Sequence, residues 1–203
     1  MIGSRGAIQS GPICDNAYSR PSTINRNRTS AEYPVTALDM DMDNPFREKA
    51  EAYAAQHQIE VGRKLGFSWD GIVFSTSRQS AVKVFRHERL FQRERDVYQR
   101  LAERQVVRIL GFDVPQLVGF DDDLWIVEMT IVSPPFVLDF AGAYLDQKPD
   151  YPPEVLADWM EEKAEQFGEH WSKVQAIMWA FSKLGVFLAD VKPGNIEFAN
   201  DRE

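Results

Sequence analysis

Residues 186–195 read VFLADVKPGN and follow an apolar run, SKLGVFL, that carries the chain into them. Asp190, Lys192 and Asn195 place a carboxylate, an ammonium and an amide within six positions, and Pro193 and Gly194 make the turn between them tight. That trio has a coherent chemistry: the carboxylate orients a hydroxyl nucleophile, the ammonium neutralises charge on a transferred phosphoryl group, and the amide ligates a divalent cation. A helix followed by a charged surface turn is the bland alternative, and it gives no reason for all three side chains at this spacing.

The rest of the sequence narrows the scaffold. The 203 residues, 44% hydrophobic, suffice for one ordinary domain, or a small domain with a tail. A formal net charge of -8 argues against nucleic acid as a partner, because phosphate-backbone binding calls for a basic face. The single cysteine, Cys14, excludes an internal disulfide and any multi-thiolate metal site, and His57, His87 and His170 lack metal-ligand spacing. One cysteine fits a reducing cytoplasm best, and no apolar run approaches the about 18 residues needed to span a bilayer, so the expectation is a cytoplasmic protein without a membrane partner.

Along the chain, residues 1–45 are rich in Gly, Ser, Asn, Arg, Pro and Asp and show no lasting period, which predicts disorder; Met40 or Met42 is an alternative start. Residues 47–58 read as a helix capped by Asn44. The period then becomes strand-like in IEVGRKLG, GIVFSTS and SAVKVF, turns helical over residues 87–104, and returns to strand in VPQLVGF and LWIVEMTIV. Pro134-Pro135 breaks the chain. A proline-rich loop then leads to a helix over residues 154–167, and a second helix runs to Leu184 with Gly185 as its left-handed terminator. The fold class expected is α+β: a five-stranded antiparallel lobe with one packed helix, residues 46–132, then a truncated helical lobe, residues 133–203.

Two further stretches carry chemistry. In LGFSWDGIV the small residues Gly66, Ser68 and Gly71 permit a hairpin backbone to lie close over phosphates, although an ordinary glycine-containing hairpin reads the same. In SAVKVF, Lys83 sits inside an apolar strand, where it is either solvent-facing or paired. A partner stands on the next helix at Glu94, held down by Val97, Tyr98 and Leu101, while Glu88 follows the strand too soon to turn back.

From residue 61 to residue 198 the order of glycine loop, Ala-x-Lys, helix Glu, fifth strand and Asp-x-Lys-Pro-x-Asn resembles the protein-kinase-like superfamily, Ser/Thr type. The resemblance implies that Gly66, Ser68 and Gly71 form the nucleotide loop and that Val73 and Ala81 roof the adenine. Lys83, paired with Glu94, would contact the α- and β-phosphates. Val127 would be the gatekeeper, with Glu128 and Met129 offering hinge backbone. Asp190 would be the catalytic base, Lys192 the phosphate-facing lysine and Asn195 a Mg2+ ligand, with ATP as the nucleotide and a protein hydroxyl as acceptor.

The departures are specific. Leu188-Ala189 replaces His-Arg ahead of Asp190. No Asp-Phe-Gly follows Asn195; Asp201 comes too soon, and Asp139-Phe140-Ala141-Gly142 lies before the catalytic loop, which reads as part of the connection beyond the hinge. A second metal ligand is therefore expected to be missing. Two alternatives to an active enzyme follow: a pseudokinase that binds nucleotide or a partner chain without turnover, and a piece of a longer kinase whose apolar surface around residues 171–181 would be left exposed.

Overall fold

A computed structural model describes the backbone of residues 37–199 and the side chains from residue 45; the readings for residues 1–36 and for Asp201 lie outside the described residues. Its helices are α1 (Ala37–His57), α2 (Glu88–Glu103), α3 (Pro153–Phe167) and α4 (Trp171–Ser182). Its longer strands are β1 (Val61–Phe67), β2 (Gly71–Thr76), β3 (Ser80–Phe85), β6 (Leu117–Asp121) and β7 (Ile126–Thr130). Two-residue strands fill the remainder: β4 (Arg108–Ile109), β5 (Phe112–Asp113), β8 (Phe136–Val137), β9 (Tyr144–Leu145), β10 (Val186–Phe187) and β11 (Ile196–Glu197).

The five longer strands make one antiparallel sheet in the order β1-β2-β3-β7-β6. β3 lies at its centre and is buried along its whole length, which explains why SAVKVF is apolar at nearly every position instead of alternating. α2 covers one face through Phe91, Val97, Tyr98 and Leu101, and α1 covers the other through Ala50 and Tyr53. Burying side chains of this size contributes roughly 1.5–3 kcal/mol each before the entropy of ordering is subtracted. The expected α+β lobe of five antiparallel strands and one packed helix is therefore present, with α1 as a second cover. α1 starts upstream of the expected cap, so Asn44 and Pro45 lie inside the helix, and the helix occupies part of the segment read as disordered.

A second, four-stranded sheet runs β11-β8-β5-β4, and β9 pairs with β10. These short strands escape a periodicity reading because two residues cannot express a period. They set the topology of everything near Asp190. β8 pairs antiparallel with β11, Val137 opposite Ile196 and Phe136 opposite Glu197, so the stretch just after Pro135 lies against the stretch just after Asn195. The apolar side of α4, expected to be exposed in a shortened lobe, is instead buried: Val174, Ile177 and Phe181 are all inaccessible, while Trp179, on the other side of the helix, is 64% exposed. α4 ends at Ser182, two residues earlier than expected, and Gly185 takes the expected left-handed conformation in the turn that follows, with φ of +78°. Among the described residues no helix is long and apolar enough to cross a membrane.

Candidate active site

The site is assembled from the central strand outward. Cross-strand register puts Val73 opposite Lys83 and Lys83 opposite Val127, while Ala81 faces Met129. Cross-strand partners share a face, so Val73, Ala81, Lys83, Val127 and Met129 line one side of the sheet together. Glu128 falls on the other side. Its carboxylate is fully buried against α1, accepts hydrogen bonds from Tyr53 Oη (3.0 Å) and the Ser80 hydroxyl, and lies 3.6 Å from Arg78 Nη1. Its main chain belongs to a strand laddered on both edges, by β3 and by β6. The Glu128 side chain therefore lies away from the face that carries Lys83, and the first backbone past that ladder belongs to Ile131 and Val132.

Lys83 Nζ donates to Glu94 Oε2 at 2.7 Å, and both side chains are at most 5% exposed. A buried ammonium costs several kcal/mol unless it is paired. It has a second partner, Asp139 Oδ1, at 2.9 Å. Burial works against the charged form, but the two carboxylates together outweigh it, raise the lysine's affinity for its proton and hold it charged. The single lysine cannot compensate both equally. Burial pushes the Glu94 carboxyl up to about 7, with Lys83 opposing. Asp139 is held below the usual carboxylate range: burial opposes ionisation, but Lys83, by charge and hydrogen bond, and Lys192 outweigh it.

Asp139 is the residue that sequence order had set aside, and this is the largest correction. Its backbone takes a φ of +67°, which a non-glycine residue adopts at some cost. The neighbours hold it there. Leu138 N donates to Asn195 O at 2.9 Å, continuing the β8–β11 pairing up to the site. Phe140 is fully buried between α2 and α4, with ring centroids 5.3 Å from Tyr98 and 5.7 Å from Phe181. A Cβ on Gly142 would lie 3.2 Å from the Asp190 Cβ, a tight contact, so the two loops approach closely here. Asp139, Asp190 and Asn195 line one narrow cleft as a result. The available signal was Asp-Phe-x-Gly behind an apolar strand, and only its position ahead of Asp190 argued against it.

Within the loop at Asp190, Lys192 Nζ lies 2.6 Å from Asp190 Oδ2. Asn195 Nδ2 donates to Asp190 O at 2.9 Å and to Asp190 Oδ2 at 3.2 Å, which commits the amide nitrogen and leaves Oδ1 for a ligand. The Asp190 side chain is 41% exposed, open to an incoming group.

The three small residues of the nucleotide loop separate. Gly71 serves the sheet, since a Cβ there would overlap the Val84 carbonyl oxygen. Ser68 shapes the hairpin: its backbone pairs with Gly71 and its hydroxyl accepts from Asp70 N at 3.2 Å. Gly66 has open space beside it. Asp70, at the hairpin tip, is half-buried and within electrostatic reach of Lys83, Asp139, Asp190 and Lys192; burial raises its pKa.

Among solved structures, the chain is similar to aminoglycoside phosphotransferases. APH(2'')-IIa in a ternary complex with streptomycin and ATP matches at 24% identity and a TM-score of 0.33, over 42% of this chain and 28% of that one. APH(2'')-Ib bound to ADP matches at 25% and 0.34, and APH(2'')-IIa with gentamicin at 23% and 0.33, with the same coverage. The match thus spans little more than a quarter of those chains. No family model and no curated protein matches the sequence.

Proposed function

We propose that this chain transfers the γ-phosphoryl group of ATP to a hydroxyl acceptor, with a Ser or Thr side chain of a protein as the acceptor. The observation that carries the proposal is the arrival of Asp139 beside the Lys83–Glu94 pair and in one cleft with Asp190 and Asn195. A pure scaffold has no need of two carboxylates and an amide lining one cleft, each carboxylate paired with its own lysine.

Each side chain then has a task. Val73 and Ala81 cover the adenine, and Ile131 and Val132 offer it backbone. Lys83, fixed by Glu94, meets the α- and β-phosphates. Asp190 orients the acceptor hydroxyl and takes its proton as the new O–P bond forms and the bond from the γ-phosphorus to the bridging oxygen breaks, releasing ADP. Lys192, two residues on, offsets charge on the transferred group. No group of three or more His, Cys, Asp or Glu side chains among the described residues is arranged to hold a metal. The donors present are Asp139 Oδ2 and Asn195 Oδ1, hard oxygens that fit Mg2+ shared between protein and phosphates. Bound there, Mg2+ would supply charge neutralisation at the β- and γ-phosphates.

The test is thermal unfolding with ATP, with and without Mg2+, for the native chain and for Lys83→Ala, followed by transfer of labelled γ-phosphate to a protein acceptor. A ligand bound only by the folded state stabilises by about 2.7 kcal/mol at a hundred times its dissociation constant. A Mg2+-dependent shift that Lys83→Ala abolishes, with label on Ser or Thr, is expected. The absence of any shift would sink the reading; a shift with no transfer would make the chain a nucleotide-binding pseudokinase.

A further inference from the structure

Beyond the site itself, the helix that presents Glu94 is fastened at its far end by a device that no step of the reaction uses. Arg100 lies on α2 and reaches across to the β9–β10 pair. Its Nη1 and Nη2 bond the two carboxylate oxygens of Asp146 at 2.8 and 2.7 Å, and Nη1 also donates to Leu184 O at 3.1 Å. Asp146 follows directly on β9, and its own amide donates to Gly185 O at 2.7 Å. Gly185 is specific to this geometry: a Cβ there would overlap Asp146 Oδ1 and stand 2.8 Å from Arg100 Nη1, and its φ is +78°. A second tie runs parallel, the Arg93 guanidinium lying 4.7 Å from the centroid of the Tyr144 ring on β9.

We infer that Arg100, Asp146 and Gly185 form a clamp that holds α2 in the position where Glu94 reaches Lys83, coupling that helix to the two loops that carry Asp139 and Asp190. The connectivity gives the clamp its purpose. β9 continues from the segment that begins at Asp139, and β10 leads directly into the loop of Asp190, with Leu145 opposite Val186 and Tyr144 opposite Phe187. Fixing α2 to this strand pair fixes three separate parts of the site against one another. A two-pronged guanidinium–carboxylate pair suits the task because it sets orientation as well as distance. Its carboxylate is encoded in the chain, so α2 is docked without an added phosphate. Asp146 is exposed, so the pair is a positioning device and not a large source of stability. Arg100 and Asp146 are positioning residues; neither touches the reacting atoms.

This inference rests on the proposed phosphotransfer only for what the clamp serves, so its primary test needs no nucleotide. Hydrogen exchange is measured on the ligand-free full chain for the native protein, Asp146→Asn and Gly185→Ala, the last removing no charge. The amides of α2 are expected to exchange at least about fivefold faster in both variants while those of β2 and β3 stay as they were, the signature of local release instead of global unfolding. Unchanged α2 exchange in both would overturn the clamp, and so would equal acceleration across β2 and β3. Where the native chain turns over, Asp146→Asn should lower kcat/KM for ATP about tenfold, and Arg100→Lys, which keeps the charge but loses the fork, should fall between the two. Variants that show the exchange signature beside a native chain with no transfer would refute the functional proposal and leave the clamp standing.

Discussion

Lys83 Nζ lies 2.9 Å from Asp139 Oδ1, joining the central strand of the five-stranded sheet to a loop that precedes the Asp190 loop in the chain. The same lysine bonds Glu94, so one ammonium organises two carboxylates of different character. Under the proposed function, Lys83, Glu94, Asp139, Asp190 and Asn195 form one nucleotide site even though Asp139 comes third in chain order.

Asp139 should therefore be indispensable. Asp139→Asn keeps the volume and removes the charge, so phosphoryl transfer from ATP should fall by about 10²–10³, in line with loss of a preorganised electrostatic partner. The Mg2+-dependent part of the ATP-induced thermal shift should disappear with it. A variant that retains that shift would remove Asp139 from the metal site.

Glu94 predicts a pH dependence of stability with a definite sign. Its pKa rises from 4.5 to about 7 on folding, so the folded state binds the proton more tightly. Its contribution is fully present below pH 4.5 and is lost as pH rises through about 7. Glu94→Gln should flatten that part of the profile, so native stability should fall relative to the variant between those values. Urea denaturation across the interval measures it, and parallel profiles would contradict the assignment.

Gly71 and Gly66 should behave differently although they share one hairpin. Gly71→Ala drives a methyl into the Val84 carbonyl and should cost about 2 kcal/mol or more, as overpacking does. Gly66→Ala, with open space at its Cβ, should leave chemical stability within about 0.5 kcal/mol. If Gly66 lies against phosphates, the same substitution should weaken ATP binding in titration calorimetry.

Behind the sheet, Tyr53 reaches the buried Glu128 carboxylate, and a Cβ on Gly119 would stand 2.6 Å from the tyrosine hydroxyl. Tyr53→Phe removes a donor from a buried carboxylate and should cost about 1–3 kcal/mol. Combining it with Gly119→Ala should cost less than the sum of the two single changes, because the hydroxyl that clashes with the new methyl is gone. A strictly additive double-mutant cycle would refute the proposed contact.

The sequence by itself determined the five longer strands and the α2 helix, because each is written in local periodicity; it offered Glu94 as a partner for Lys83, and the burial of β3 in the fold made that pairing obligatory. It also determined the grouping of Asp190, Lys192 and Asn195, since residues within one tight turn need no tertiary information to be neighbours. Tertiary structure alone decided the place of Asp139 and the side of the sheet that Glu128 occupies. Asp139 reaches the site because two two-residue strands, β8 and β11, pair across a long stretch of chain, and that pairing has no local signature to read. Glu128 turns to the back because alternation along β7 is fixed by its register with β3, where a one-residue slip reverses every side chain. Chain order had counted against Asp139, and contact order placed it: proximity in a fold is set by which strands pair, whatever the sequence in which they are synthesised.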